Sequence, residues 1–447
     1  MARRKKLSPD PFKVEIQSLL ENGRGSAVHE SKNLGVYGAL PGESVMARYL
    51  FGRRMRGQAE TIEVLKPSSN RIEPRCPHFG TCGACTLQHL DHASQLEFKQ
   101  KTMLGHLRQQ GDVSPERVLA PLSAGQWNYR RKARLSVRYV RAKERVLVGF
   151  RERDGRFVAD MAECHTLVKR VADRLPEITA LIEGLDARET IPQIEVTSGD
   201  ENSALIFRHL EPLSASDTTA LKAFAINTGL AVLLQPKGPD TVHALEPENP
   251  QLSYTLPEYE VNFEFEPLDF VQVNGALNQL MIKQALELMD LQPQDRVLDL
   301  FCGLGNFTLP IARHCQAVTG VEGDEGLVQR AVQSAQRNAI SNAGFIQVDL
   351  YSQSAGLVNV PGLFHKILLD PPRSGAEQVL PTVASSSASK VLYVSCNPVT
   401  LGRDAGILVH QHGFTLQAAG IMDMFPHTSH IESMALFERE TPGKSSS

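Results

Sequence analysis

Between residues 296 and 395, five short apolar runs recur with helical stretches between them: "RVLDL", "AVTGV", "GFIQV", "KILLD" and "VLYVS". Apolar runs without alternation are buried on both faces, and strands of that kind, spaced by helices, build a doubly wound parallel sheet. Ligands in such sheets bind beyond the carboxyl ends of the strands. Asp299, Glu322, Asp349, Asp370 and Cys396 all fall at those ends. So many reactive or polar groups on one sheet edge predict a functional site there, in an α/β domain that begins near residue 266.

A chain of 447 residues has room for two to four domains at roughly 100–200 residues each. Its longest apolar runs, such as "GLAVLL" at 229–234, fall far short of the roughly 18–20 residues a membrane helix needs. The opening "MARRKKLSPDPF" is basic with no apolar segment behind it, which does not read as a secretory signal. The expectation is a cytoplasmic protein with no membrane partner. The net charge of −3 hides an asymmetry: residues 1–75 carry 14 Lys and Arg against 8 Asp and Glu, and residues 127–156 carry 11 against 3. Two basic islands on an otherwise acidic chain point to a surface that meets nucleic acid, ahead of a merely solvated charged face.

The stretch from 8 to 67 reads as five short strands with glycine turns, "FKVEIQSLL", "GSAVHE", "LGVYGAL", "ESVMARYLF" and "QAETIEVLK". That spacing fits a small closed barrel of the oligonucleotide-binding kind. Arg53, Arg54 and Arg56 stand on one of its turns, where they can reach phosphates. Residues 128–210 look mixed. In "RKARLSVRYV", Leu135, Val137 and Tyr139 alternate with Arg134, Ser136 and Arg138, a half-buried strand with a basic outer face.

"VLDLFCGLGNFTLPIA" is a strand, a glycine turn at Gly303 and Gly305, and a helix start. Glu322 follows Asp299 by 23 residues at the end of the next strand, where a carboxylate accepts hydrogen bonds from ribose hydroxyls. A nicotinamide dinucleotide wants a third small residue where Thr308 stands. S-adenosylmethionine carries a sulfonium cation and no phosphate, so it suits four neighbouring carboxylates better.

In "VLYVSCNPVTLGRD" a buried strand ends on Cys396 and turns at once. Cysteine is often just a small core hydrophobe, but a thiol held on a tight turn at this edge is presented to a substrate. "LLDPPRSG" leaves the sheet at an angle fixed by two prolines. Glu432, in "DMFPHTSHIESMALF", opens a final apolar run whose start could reach the same rim. Seven cysteines argue against a disulfide framework. Cys76, Cys82 and Cys85 have C-x5-C-x2-C spacing and Cys164 follows 79 residues later, so spacing leaves zinc and an iron–sulfur cluster both open. Trp127 and Cys315 read as core, Cys302 as a backbone contributor to the glycine loop, and His427 and His430 as outer groups of the site or surface.

"DLFCGLGNFTLP", "LLDPPRSGA", "YVSCNPVTLGRD" and "DMFPHTSHIES" closely resemble the RNA uracil-5-methyltransferases, over essentially the whole chain and most densely over 270–437. The resemblance implies a Rossmann-like class I methyltransferase domain at 266–440, an OB-like TRAM barrel at 7–67, and a mixed α+β iron–sulfur domain at 68–265. It implies S-adenosylmethionine as methyl donor, held by Gln272, Phe301, Asn306, Glu322, Asp349 and Asp370, with Cys396 as nucleophile and Glu432 as general base. One branch carries a [4Fe–4S] cluster on four cysteines that match Cys76, Cys82, Cys85 and Cys164, and acts on a uridine of 23S ribosomal RNA. No protein partner is evident, and a monomer is expected. Gly402 stands where the family has Ala, and "TSHI" where it has "TGHL".

The chemistry accounts for the residue types. Uracil C5 is a poor nucleophile until a thiolate adds at C6. C5 then takes the methyl group, Glu432 removes the C5 proton and the thiolate leaves. An ordinary thiol is only a few per cent thiolate near pH 7, so the site should depress the Cys396 pKa. Competing readings are a transfer-RNA enzyme of the same chemistry, a non-catalytic RNA-binding protein on this fold, and a radical methylthiotransferase. The last needs C-x3-C-x2-C where this chain has x5.

Overall fold

The computed structural model describes residues 10–50, 57–153, 155–352 and 363–439. Its first six strands are β1 (Phe12–Glu15), β2 (Ser18–Leu19), β3 (Gly25–His29), β4 (Lys32–Tyr37), β5 (Ser44–Tyr49) and β6 (Gln58–Lys66). They form one sheet in the order β1-β5-β6-β4-β3-β2 around buried Val14, Val36, Val45 and Ala47. The sequence predicts five strands, but its first run divides in two. Ile16 N–H bonds the Glu43 carbonyl, while Gln17 N–H bonds the Ser26 carbonyl, so the chain changes partner between those residues. The predicted phosphate-reaching residues Arg53, Arg54 and Arg56 lie outside the described residues.

Helix α1 (His92–Gly111) follows, capped by the Asp91 carboxylate on Ser94 N–H, and then the short strand β7 (Arg117–Val118). The central sheet contains β8 (Lys132–Val140), β9 (Arg145–Gly149), β10 (Gln193–Ser198), β11 (Ser203–Arg208), β12 (Ala231–Gln235) and β13 (His243–Glu246). Its order is β13-β12-β11-β10-β8-β9. On β8, Arg134 and Arg138 are exposed while Leu135 and Val137 are buried, as alternation predicts; Ser136 is buried as well. Helices α2 (Lys169–Ala172), α3 (Leu175–Glu183) and α4 (Ala215–Thr228) accompany this sheet, and the hairpin β14 (Ser253–Leu256) and β15 (Val261–Glu264) leads out of it.

The C-terminal body starts at α5 (Gly275–Met289), whose N-cap Asn274 accepts from Leu277 N–H. Then come β16 (Arg296–Leu300), α6 (Thr308–Ala312), β17 (Ala317–Glu322), α7 (Glu325–Arg337), β18 (Ala343–Gln347), β19 (Lys366–Leu369), α8 (Leu380–Ser385), β20 (Lys390–Ser395), α9 (Pro398–His412), β21 (Thr415–Met422) and β22 (Glu432–Glu438). They build an eight-stranded sheet in the order β18-β17-β16-β19-β20-β22-β21-β7. The five predicted runs are its parallel strands, and β22 is inserted antiparallel between β20 and β21.

The expected central domain at 68–265 is divided by this packing. Strand β7 pairs with β21, and α1 packs on α9, so the stretch 92–118 joins the C-terminal sheet. Helices α1 and α9 cross at glycines. A Cβ on Gly402 would stand 2.5 Å from the His106 carbonyl oxygen, and one on Gly111 would stand 2.2 Å from the Gly402 carbonyl oxygen. The family's Ala at position 402 therefore has no room in this chain. Gly402→Ala should lower stability by about 1–3 kcal/mol through overpacking; a thermal or denaturant midpoint equal to the parent's would show that the crossing relaxes freely.

Candidate active site

Cys396 is the first residue past β20. The turn that holds it is built from its neighbours: Ser395 Oγ donates to the Asn397 carbonyl at 3.0 Å and accepts from Asn397 N–H at 3.1 Å. Asn397 caps α9 by accepting from Val399 N–H, and Pro398 occupies the first helical position, where its missing N–H costs nothing. The thiol thus sits at a strand end against a helix N-terminus, whose partial positive charge favours an anion.

Glu432 is the first residue of β22. The pairing Ser395↔Ser433 is the last of the β20–β22 ladder, and one further step sets Cys396 opposite Glu432. Opposed residues on one sheet face have Cβ atoms roughly 4.5–5.5 Å apart. Both line one cavity of about 590 Å3. Cys396 also borders a second hollow of about 230 Å3 on its other side, lined by Glu21, His106, Val399 and His430.

The larger cavity also collects all six residues assigned to the methyl donor: Gln272, Phe301, Asn306, Glu322, Asp349 and Asp370. Phe301 takes a left-handed conformation, φ +67°, where β16 ends, and Gly305 follows at φ +85°. Glu322 locks this loop: one oxygen accepts from Gly303 N–H at 3.1 Å, the other from Gly323 N–H at 2.7 Å and Asp324 N–H at 3.1 Å. The Asn306 amide exchanges two hydrogen bonds with Asn278 and accepts one from the Tyr254 hydroxyl, which ties the glycine loop to α5 and to β14. Asp349 accepts from Tyr351 N–H. Asp299 stays beneath the loop, fully buried, with Thr308 donating to it at 2.5 Å.

Electrostatics inside the cavity run against negative charge. Burial pushes Asp370 up to about 7. Burial, then the Asp370 charge, pushes Glu432 up to about 8, opposed by Arg373 and Lys99. The depressed Cys396 pKa expected from the chemistry is not what these surroundings produce. Burial, then Glu432 and Asp370, raises the thiol to about 11, and Arg373 is the cation that opposes them. Two carboxylates beside a thiol make the protonated sulfur the stable form until a positive charge enters.

Sequence reasoning passed over Arg373 and Phe425, which line this cavity, and Tyr254 beneath the glycine loop. Arg373 was within reach, since it follows the two prolines at a strand end. Trp127 is half-buried and lies outside the apolar cores, unlike the core position expected of it: it stacks on His427 with ring centroids 3.9 Å apart, and Arg75 lies 5.2 Å from its ring centroid. His427 is held neutral by burial, with its pKa near 4, and His430 contacts Arg373.

All seven cysteines are free thiols. Among the described residues, no group of three or more His, Cys, Asp or Glu is drawn together for a metal ion. The four cysteines do share one neighbourhood. Cys82 and Cys164 belong to the same apolar core. Burial and the charges of Cys82 and Cys164 raise Cys85 to about 12, and burial with Cys164 and Cys76 raises Cys82 to about 11. Arg130 is the nearby cation that opposes both rises, and four sulfurs in one neighbourhood are a donor type that zinc and an iron–sulfur centre both accept.

A family model described as tRNA (Uracil-5-)-methyltransferase matches residues 124–440. The chain is 51% identical over 439 residues to the 23S rRNA (uracil(1939)-C(5))-methyltransferase RlmD of Alkalilimnicola ehrlichii, covering 98% of this chain and 99% of that protein. It is 50% identical to the protein of the same name from Xanthomonas oryzae pv. oryzae, covering 98% and 100%. The structure of Pyrococcus abyssi tRNA (uracil-54, C5)-methyltransferase in complex with S-adenosyl-L-homocysteine shares the fold, with TM-score 0.72 and 22% identity over 95% of this chain and 99% of that one.

A thiol raised to about 11 is almost wholly protonated at neutral pH, and its thiolate fraction grows about tenfold per pH unit below that value. Alkylation of Cys396 by iodoacetamide in the protein without cofactor should therefore be slow at pH 7 and still climbing at pH 9–10, followed by mass mapping of the 390–403 peptide. A rate already flat by pH 8 would contradict this charge balance.

Proposed function

The chain belongs to the RNA uracil-5-methyltransferase family, and from that premise we propose that it transfers the methyl group of S-adenosylmethionine to C5 of a uridine in 23S ribosomal RNA. The observation that carries the reading is the opposition of Cys396 and Glu432 across adjacent strand ends, on one cavity with the glycine loop. S-adenosylmethionine supplies the electrophilic methyl group and a positive charge.

The remaining steps belong to the chain's own groups. The Cys396 thiol releases its proton to solvent, its sulfur adds to C6 of the uracil, and the electron pair of the C5=C6 bond becomes available at C5 for methylation. Glu432 takes the proton from C5, the C5=C6 double bond re-forms, and the sulfur leaves with its electrons. Glu432 and Cys396 must both be ionised to act, so activity rises with pH through the raised Glu432 pKa of about 8, and through that of Cys396 as far as the bound positive charge lowers it. The hollow beside Cys396, bordered by Glu21 of the N-terminal sheet and by His430, is the side from which a flipped base enters. The six-stranded N-terminal sheet serves as a TRAM-like RNA-binding barrel and the basic face of β8 as a second RNA contact. Cys76, Cys82, Cys85 and Cys164 hold a [4Fe–4S] cluster that staples the central sheet to the segment ahead of α1. Methyl transfer needs no electron, so the cluster's work there is structural. The reaction takes place in the cytoplasm, where ribosomal RNA is.

Cys396→Ala should abolish methylation of 23S RNA while S-adenosylmethionine still binds, measured by calorimetry. Glu432→Gln should accumulate a covalent RNA–protein adduct visible as a denaturation-resistant band. Normal turnover of either variant removes that residue from its role, and methylation of transfer RNA but not 23S RNA reassigns the substrate. Protein isolated without oxygen should be brown, with iron and acid-labile sulfide in equal amounts; a colourless protein holding one zinc would overturn the cluster.

A further inference from the structure

The loop 423–431, which joins β21 to β22 and ends at Glu432, is gripped from one side by α1. His92, Gln95 and Lys99 recur at the spacing of one helical face. Lys99 Nζ donates to Asp423 Oδ1 at 2.6 Å and to the Phe425 carbonyl at 3.0 Å. His92 Nε2 lies 2.8 Å from Asp423 Oδ2, and His427 N–H donates to Gln95 Oε1 at 2.9 Å. Both side chains of the Lys99–Asp423 pair are fully buried. Asp423 directly follows Met422, the cross-strand partner of Glu432.

A buried ion pair costs about as much in desolvation as it returns, and apolar residues of the same volume often serve stability better. This pair crosses 324 residues of sequence and touches the base-bearing loop at two points, so its value lies in placement. We propose that Lys99, fixed by Asp423, is a positioning residue for Glu432: it anchors the 423–431 loop and supplies the buried positive charge behind the carboxylate. The proposal rests on Glu432 being the base.

The groups around the two residues set the direction of the effect. Glu432 faces Asp370, Arg373 and Cys396 from the strand ends, and Lys99 from α1. Lys99 faces Asp423 and Glu432, with His92, His427 and His430 nearby. Arg373 and Lys99 are the cations that hold Glu432 down. Removing Lys99 leaves the carboxylate with Arg373 alone against burial and Asp370.

The test is a pH profile of single-turnover methylation by the full chain, with far-UV circular dichroism and S-adenosylmethionine affinity as controls. Lys99→Met should move the acid limb to higher pH and cost roughly tenfold at pH 7 for each unit of movement. Asp423→Asn removes the carboxylate that keeps the buried Lys99 charged, so its limb should rise as well, by no more than that of Lys99→Met. The double variant Lys99→Met/Asp423→Leu removes the desolvation cost along with the charge and keeps the fold testable if the single variant misfolds; its limb should also sit high. An unmoved limb in a folded Lys99→Met or double variant, or a limb that Asp423→Asn raises further than Lys99→Met does, overturns the proposal. If the parent protein itself methylates no RNA, it is the reading of the active site that has failed.

Discussion

One backbone pairing sets the site. Because β22 runs antiparallel beside β20 and the ladder ends at Ser395↔Ser433, the residue after one strand and the first residue of the other meet at the same sheet edge. The proposed action of a thiol and a carboxylate on one pyrimidine needs that relation, and side-chain packing alone would not fix it as firmly. A one-residue slip of β22 would send Glu432 to the face opposite Cys396. The Tyr393 ring buried beneath, whose hydroxyl donates to Asp404 at 2.6 Å, fixes the strand against α9 and defends the register.

The same geometry creates an electrostatic conflict. Asp299, Asp370, Glu432 and Cys396 all have pKa values raised chiefly by burial, and Asp370 and Glu432 add to the rise on Cys396. A cavity this short of positive charge resists ionisation of the two groups proposed as its nucleophile and base. A cation bound there relieves the sulfur and the carboxylates at once, so binding of a sulfonium and activation of the nucleophile are thermodynamically linked. The α9 N-terminus acts in the same direction, by an amount of about 0.3–1 kcal/mol.

What the sequence disclosed follows from locality. The parallel strands were legible because a strand buried on both faces must be continuously apolar, and their carboxyl ends then name the rim: Glu322, Asp349, Asp370 and Cys396, with Asp299 beneath it. Hidden were the features decided by distant contacts. The short β7 has two exposed residues, Arg117 and Val118, and nothing in them announces pairing with β21. The break between β1 and β2 depends on which strands Ile16 and Gln17 meet. The expected fall in the Cys396 pKa considered the reaction but not the neighbours, and the neighbours are anionic. Lys99 lies in a helix of polar composition, where a lysine reads as solvated until the fold seals it against Asp423.

The segment that carries the cysteines is bound to this centre as well. Directly after Cys85, the Thr86 and Leu87 N–H groups both bond the His427 carbonyl, and the Thr86 hydroxyl accepts from Ser429 N–H. The His427 ring is stacked on Trp127, and the Tyr129 hydroxyl donates to the Pro426 carbonyl. The loop that delivers Glu432 therefore has the cysteine segment on one flank and α1 on another, and little of its conformation is set by its own residues. His427 sits at φ +66°, a strained choice for a non-glycine residue, and these outside bonds are what hold it there. The cysteine segment thus bears on the loop of Glu432 through geometry: where that segment is ordered, the loop is ordered with it.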